Sequence, residues 1–60
     1  MDNREEISTP EEVAARLKVP VSWVYRRTRD RSIPFMKVGR YCRFEMAVVE
    51  EWARKNAVRD

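Results

Sequence analysis

Two internal prolines, Pro20 and Pro34, prevent these 60 residues from forming one continuous helix. Proline disfavours helical backbone in the residue before it and fits the first turn of a new helix. Pro20 therefore separates two helical segments, and Ile33-Pro34 ends the second of them. The apolar residues follow a helical period before Pro34, a strand-like one after it, and a helical one again from Glu45. The predicted order is helix, turn, helix, two-stranded ribbon, helix.

The first helix begins at a capping box. The Thr9 hydroxyl can accept from the amide of Glu12, the Glu12 side chain can reach back, and Pro10 suits the first helical position. Apolar residues then recur at helical spacing, which predicts a helix that ends near Leu17 or Lys18.

The second helix is predicted from Pro20 to about Arg29, with Val24 and Thr28 on its inner side. Arg27 leans towards that inner side, so its stem is expected to pack while its head reaches outwards. The stripe on the opposite side consists of Ser22, Arg26 and Arg29. Trp23 and Tyr25 flank this stripe.

The next segments, Phe35–Val38 and Tyr41–Phe44, are rich in strand formers and are separated by Gly39-Arg40. Glycine at the first central position suits a tight hairpin turn. A third helix follows from Glu45 to about Lys55. Its predicted apolar face, with Trp52 in the core, consists of Val48, Val49, Trp52 and Ala53.

The predicted fold class is mainly α with a small two-stranded antiparallel hairpin, a winged helix-turn-helix. Residues 8–54 would form this domain, and residues 1–7 and 55–60 would form flexible N-terminal and C-terminal tails.

Positive charge is concentrated in the middle of the chain. Residues 16–43 hold nine of the thirteen Lys and Arg and one acid, Asp30, whereas both ends are acidic. Acids are absent from residues 13–29, so pairing along the helix does not explain the arginines there. This asymmetry favours a polyanionic partner, most often a nucleic acid.

Catalysis and metal binding are not expected. Cys42 is the only cysteine and the chain has no histidine, so it lacks the ligands of a structural zinc site and a catalytic base of that type. The paired glutamates suit capping and solubility. We expect no cofactor, no metal and no small-molecule substrate. The longest apolar run, Met46–Val49, is far below the roughly 20 residues of a membrane span, and the acidic start is unlike a signal peptide. A cytoplasmic protein with no membrane partner is the default.

The ordered motifs resemble the excisionase-type DNA-binding domains, relatives of the MerR-type winged helix-turn-helix. These motifs are Thr9-x-Glu11-Glu12-Val13-Ala14-x-x-Leu17-x-Val19, Ser22-x-Val24-Tyr25-Arg26, Ile33-Pro34, Lys37-Val38-Gly39-Arg40, Arg43-Phe44 and Glu51-Trp52. Each motif alone has low specificity, but the set covers about three-quarters of the chain in the order of the family.

The resemblance implies a second helix that reads the major groove of double-stranded DNA and a wing that contacts the minor groove or backbone. By position, it places Ser22, Tyr25, Arg26 and Arg29 on the recognition helix and Lys37, Arg40, Tyr41 and Arg43 on the wing. Arg27 joins them as a DNA-binding candidate. Such proteins are architectural factors that set the direction of recombination, or small transcriptional regulators of bacteria and phages. Neighbouring copies on tandem sites or a recombinase are the further partners implied.

The sequence departs from the family pattern at four positions. Lys18 replaces a glycine after the first helix, so it must accept a left-handed conformation or end the helix differently. Arg31 replaces a glycine after the second helix, which leaves the path into Ile33-Pro34 open. Pro20 replaces a serine N-cap, so one capping bond is missing or is supplied by Ser22. Trp23 replaces a small polar residue and has three interpretations: packing at the core margin, stacking on a sugar, or contact with a neighbouring protomer.

Other interpretations stay open at this point. The arginine stripe could be an ordinary solvated helix face, and the charges of the wing could protect an edge strand from aggregation. Tyr41 could bind a phosphate or cover the edge of the core. The alternative function is a protein-interaction module that docks an acidic partner through the basic helix and wing.

Overall fold

The computed structural model describes residues 6–57, which form three helices and a small antiparallel sheet. In chain order the elements are β1 (Ile7–Ser8), α1 (Pro10–Leu17), α2 (Val21–Arg29), β2 (Met36–Val38), β3 (Tyr41–Glu45) and α3 (Met46–Lys55). The predicted fold class is confirmed. The expected tails lie mostly outside the described residues, although Ile7 and Lys55 belong to regular elements.

The capping box at the start of α1 forms as the sequence predicts. The Glu12 amide donates to Thr9 Oγ1 at 3.1 Å, and the Thr9 amide donates to Glu12 Oε1 at 2.8 Å. These two bonds satisfy backbone donors that the helix leaves free, and they fix where α1 begins.

A non-glycine residue in the left-handed conformation follows α1 directly and α2 after one intervening residue, Asp30. Lys18 has φ 62° and Arg31 has φ 60°. The amide after each of them donates back into its helix, from Val19 to Ala14 O at 3.0 Å and from Ser32 to Arg27 O at 2.9 Å. This is the Schellman arrangement, which glycine normally completes. Both helix ends thus adopt the conformation that glycine favours, although Lys18 and Arg31 carry Cβ atoms.

The turn between α1 and α2 contains Lys18, Val19 and Pro20. Pro20 is the N-cap of α2 and supplies no side-chain hydrogen bond. Of the two alternatives for this cap, a missing bond or one from Ser22, the structure shows the missing bond: Ser22 lies inside the helix, and the Trp23 amide donates to the Pro20 carbonyl at 3.0 Å.

The sheet has three strands in the order β1-β3-β2, not the predicted two. Ser8 pairs with Phe44 and Ile7 with Glu45, so Ile7, expected in the flexible tail, is hydrogen-bonded into the sheet. A strand of two residues is too short to show the alternation of apolar and polar residues by which a strand is predicted from sequence. The β2–β3 hairpin is as predicted, and Gly39, with φ 63°, occupies the first central position of its turn.

The core lies between α1, α2, the sheet and α3. Its buried apolar side chains are Val13, Ala14, Val24, Ile33, Phe44 and Val49. Two expectations for α3 are wrong: Val48 is 44% exposed, and Trp52 is only partly buried at the core margin. Successive helical residues are about 100° apart, so only Val49 of the two neighbouring valines faces inwards. Within the described part of the chain, no helix is long and apolar enough to span a bilayer.

Candidate nucleic-acid interface

The outer face of α2 is exposed as the spacing predicts. Ser22, Arg26 and Arg29 are exposed, whereas Val24 and Thr28, on the inner side, are buried. Burial of the inner pair against the core fixes the rotation of α2 about its axis. The stripe therefore points to solvent.

The end of α2 and the wing share a first recess, which we call the turn-side recess. It is lined by Thr28, Arg29, Arg31, Phe35, Lys37 and Cys42. Three cations from three different segments converge there: Arg29 from α2, Arg31 from the turn after it, and Lys37 from β2. Sequence reasoning missed Arg31 as a site residue, although its charge was visible.

The middle of α2 and the tip of the wing share a second recess, which we call the helix-start recess. It is lined by Pro10, Glu11, Tyr25, Arg40, Tyr41, Cys42 and Arg43. Cys42 of β3 lines both recesses, so they adjoin one another. We call the residues that line the two recesses, from α2 to the wing, the basic face.

Tyr41 orders the arginines at the tip of the wing. Its ring lies below two guanidinium groups, with centroid distances of 5.8 Å to Arg40 and 5.2 Å to Arg43. Arg43 Nη1 also donates to the Cys42 carbonyl at 2.7 Å. Such cation–π contacts contribute about 0.5–1 kcal/mol each at exposed sites, so they limit the conformations of both side chains.

Arg27 lies apart from the other predicted site residues. Its guanidinium lies over the Trp23 ring at 5.2 Å, and its Nη1 is 3.8 Å from Asp30 Oδ2. Arg27 Nε is buried and has no hydrogen-bond partner in the described part of the chain. Trp23 in turn packs against Trp52, with ring centroids 6.4 Å apart. Of the three interpretations of Trp23, the structure shows packing at the core margin.

Glu11 is a second residue of the basic face that sequence reasoning missed, since the paired glutamates suited capping and solubility. The Tyr25 hydroxyl donates to Glu11 Oε2 at 3.2 Å. This hydrogen bond, followed by partial desolvation and the negative charge of Glu11, raises the pKa of Tyr25 above its ordinary value. Tyr25 is therefore a protonated donor at neutral pH. The pairing is not readable from the sequence because 14 residues separate the partners.

Within residues 6–57, the cations of the basic face form no ion pair with an acid. Among residues 6–57, ion pairs within 4 Å join Arg16 to Glu50, Arg27 to Asp30 and Lys55 to Glu51, and none involves the outer stripe or the wing. The same residues contain no group of three or more His, Cys, Asp and Glu that could hold a metal ion. What the basic face offers is a cluster of hydrogen-bond donors with positive charge.

A family model described as a helix-turn-helix domain matches residues 9–57. The searches of curated proteins and of solved structures give no match. The family match covers most of the chain, and it begins at the capping box of α1. Helix-turn-helix domains bind DNA, and α1, the turn after it and α2 form the helix-turn-helix of this chain. The chain belongs to this helix-turn-helix domain family, the excisionase-type family that its motifs resemble.

Proposed function

We propose that this protein binds a specific sequence of double-stranded DNA and does no catalysis. In this proposal α2 enters the major groove, and the wing lies on the adjacent minor groove and backbone. The observation that supports it most is that α2 and the wing line common recesses, with Arg29 beside Lys37 and Tyr25 beside Arg43. One duplex surface can therefore meet both elements at once.

The outer stripe of α2 and the basic face have different roles in this proposal. Ser22 and Arg26, on the outward side of α2, are nearest to base edges, where an arginine can pair with both acceptors of guanine. The cations at the turn-side recess and the wing contact phosphates. Tyr41 supports the wing arginines. Arg27 is not in the contact set, because it packs over Trp23.

A single domain of this size binds DNA over a small area. One module buries roughly 600–1,000 Å² of protein surface on DNA, so its affinity alone is modest. We propose that the protein acts with neighbouring copies or a recombinase, as an architectural recombination factor, or as a small transcriptional regulator. A gel-shift assay on circularly permuted duplexes separates these roles: strong bending supports the first, and an unbent complex at one site supports the second.

The central experiment is a binding titration on mixed-sequence duplex at several salt concentrations. If five to seven phosphates are contacted, the slope of log K against log salt should lie near −5 to −6, by the estimate of about −0.9 per phosphate. A selected high-affinity duplex should retain tighter binding at every salt concentration. Absence of binding to any duplex at low salt would contradict the proposal and favour the docking of an acidic protein instead.

A further inference from the structure

The helix-start recess contains one carboxylate among cations. Glu11 lies there with Arg40 and Arg43, in a surface otherwise suited to phosphates. In the described part of the chain Glu11 makes no ion pair with either arginine, and its side chain accepts a hydrogen bond from the Tyr25 hydroxyl. A carboxylate that faces DNA repels phosphates. Its presence on this face therefore requires a different explanation from neutralisation of the arginines.

The hydrogen bond between Tyr25 and Glu11 decides what both groups can offer to a ligand. A tyrosine hydroxyl has a single hydrogen, and here that hydrogen points to Glu11. Tyr25 then presents only lone pairs outwards, and an ionised Glu11 accepts only. The pair forms a patch of acceptors at the end of a surface of donors.

Among groups in the major groove, only base amino groups suit such a patch. Phosphate oxygens and the O6 and N7 atoms of guanine are acceptors and are rejected, and thymine offers an acceptor and a methyl group. Adenine carries a donor, but its N7 acceptor lies beside it. Cytosine presents its N4 amino group with no acceptor of its own on that edge, and carboxylates accept from this group.

We infer that Glu11, with Tyr25 held beside it, is a specificity-determining residue that selects a cytosine in the bound DNA sequence. This inference rests on the proposed function, because it assigns part of the sequence preference to α1 as well as α2. Glu11 also has a second effect in this inference: its carboxylate weakens binding to DNA that lacks a cytosine at that position.

The test is selection of bound duplexes from a randomised DNA library by the wild type and by Glu11→Gln. Glu51→Gln is the matched control, since it makes the same change of charge on α3, where Glu51 pairs only loosely with Lys55. The wild type and the control should favour cytosine at one position on the order of tenfold, and Glu11→Gln should lose that preference while keeping the others. Its affinity for mixed-sequence duplex should rise severalfold.

A second variant, Tyr25→Phe, removes the hydroxyl but keeps the ring. It should weaken the preference at the same position, and circular dichroism will show whether each variant remains folded. Identical selected sequences for the wild type and Glu11→Gln would overturn the inference while leaving the proposed function intact. The same holds if Glu11→Gln loses a preference for a base other than cytosine. A wild type that enriches no duplex would instead overturn the proposed function, and this inference with it.

Discussion

Lys18 and Arg31 hold positive φ angles, at 62° and 60°, where an L-residue is strained. The left-handed conformation costs about 1–2 kcal/mol for a residue with a Cβ atom, whereas glycine adopts it freely. The Schellman hydrogen bonds after α1 and α2 keep both residues there. The two helix ends thus store strain that the usual glycines would not.

Lys18→Gly should therefore stabilise the domain. The relief of strain is partly offset by the greater freedom of glycine in the unfolded chain, which leaves a gain of about 0.5–1 kcal/mol. Urea unfolding measures it. Lys18→Ala is the matched control, because it removes the same charge but keeps the Cβ atom. Equal midpoints for the Gly and Ala variants would show that the backbone at residue 18 is not strained.

The residue scale also shows where sequence reasoning succeeds. The burial of Val24 and Thr28 and the exposure of Arg26 follow from helical spacing alone. The hydrogen bond between Glu11 and Tyr25 could not be predicted, because it depends on how α1 crosses α2. Val48 was placed wrongly because two adjacent valines carry the same apolar signal while only one can face the core.

At the scale of elements, the start of α1, the positions where α1 and α2 end and the hairpin turn all follow from local chemistry. A capping box and a glycine turn each specify their geometry within six residues, whereas the left-handed conformation of Lys18 and Arg31 is not readable from residues that carry a Cβ atom. Strand β1 is different: Ile7 and Ser8 pair with Glu45 and Phe44, far along the chain. Only the assembled core brings these segments together, so the third strand was missed.

The end of α2 depends on an ionised carboxylate. The Ser32 hydroxyl donates to Asp30 Oδ1 at 2.7 Å, and this bond, above all, lowers the pKa of Asp30. Because the folded pKa is the lower one, ionised Asp30 contributes stability above the pKa of the unfolded chain. That contribution disappears as the pH falls through the folded value.

Asp30→Asn should therefore be less stable than the wild type at pH 6 and should approach it as the pH falls below about 4. Thermal melting of both proteins over this pH range measures the difference in their stability. Taking the difference cancels the effect of the other carboxylates, which both proteins share. Glu51→Asn is a control on an exposed helix face. A difference between wild type and Asp30→Asn that stays constant with pH would show that the charge of Asp30 does not stabilise the helix end.

The proposed roles of α2 and the wing predict different effects of removing one arginine from each. Arg26→Ala should relax sequence preference, with a loss of about 1–3 kcal/mol on the preferred site if it pairs with a guanine. Arg40→Ala should weaken binding to all sequences alike. Equilibrium binding to the preferred duplex and to single-base variants distinguishes the two. If Arg26→Ala weakens binding to all sequences equally, Arg26 contacts the DNA backbone instead of a base.

On the scale of the whole molecule, the fold gathers positive side chains on one part of the surface although the net charge of the chain is small. The net charge of the chain is only +3. Yet five cations lie around two adjoining recesses, while Arg16 and Lys55 pair with glutamates of α3. The five are Arg29, Arg31, Lys37, Arg40 and Arg43. Lysines of equal charge should therefore contribute unequally to DNA binding according to their position.

Lys37 and Lys55 offer a matched comparison of this kind. Lys37 lines the turn-side recess, whereas Lys55 lies at the end of α3, 3.8 Å from Glu51. Both alanine variants lower the net charge equally. If the basic face alone meets phosphates, Lys37→Ala should reduce the salt slope of duplex binding by about 1 and Lys55→Ala should leave it unchanged. Titrations at four salt concentrations give the slopes. Equal reductions would mean that DNA responds to the total charge of the protein, and the basic face would then have no special role.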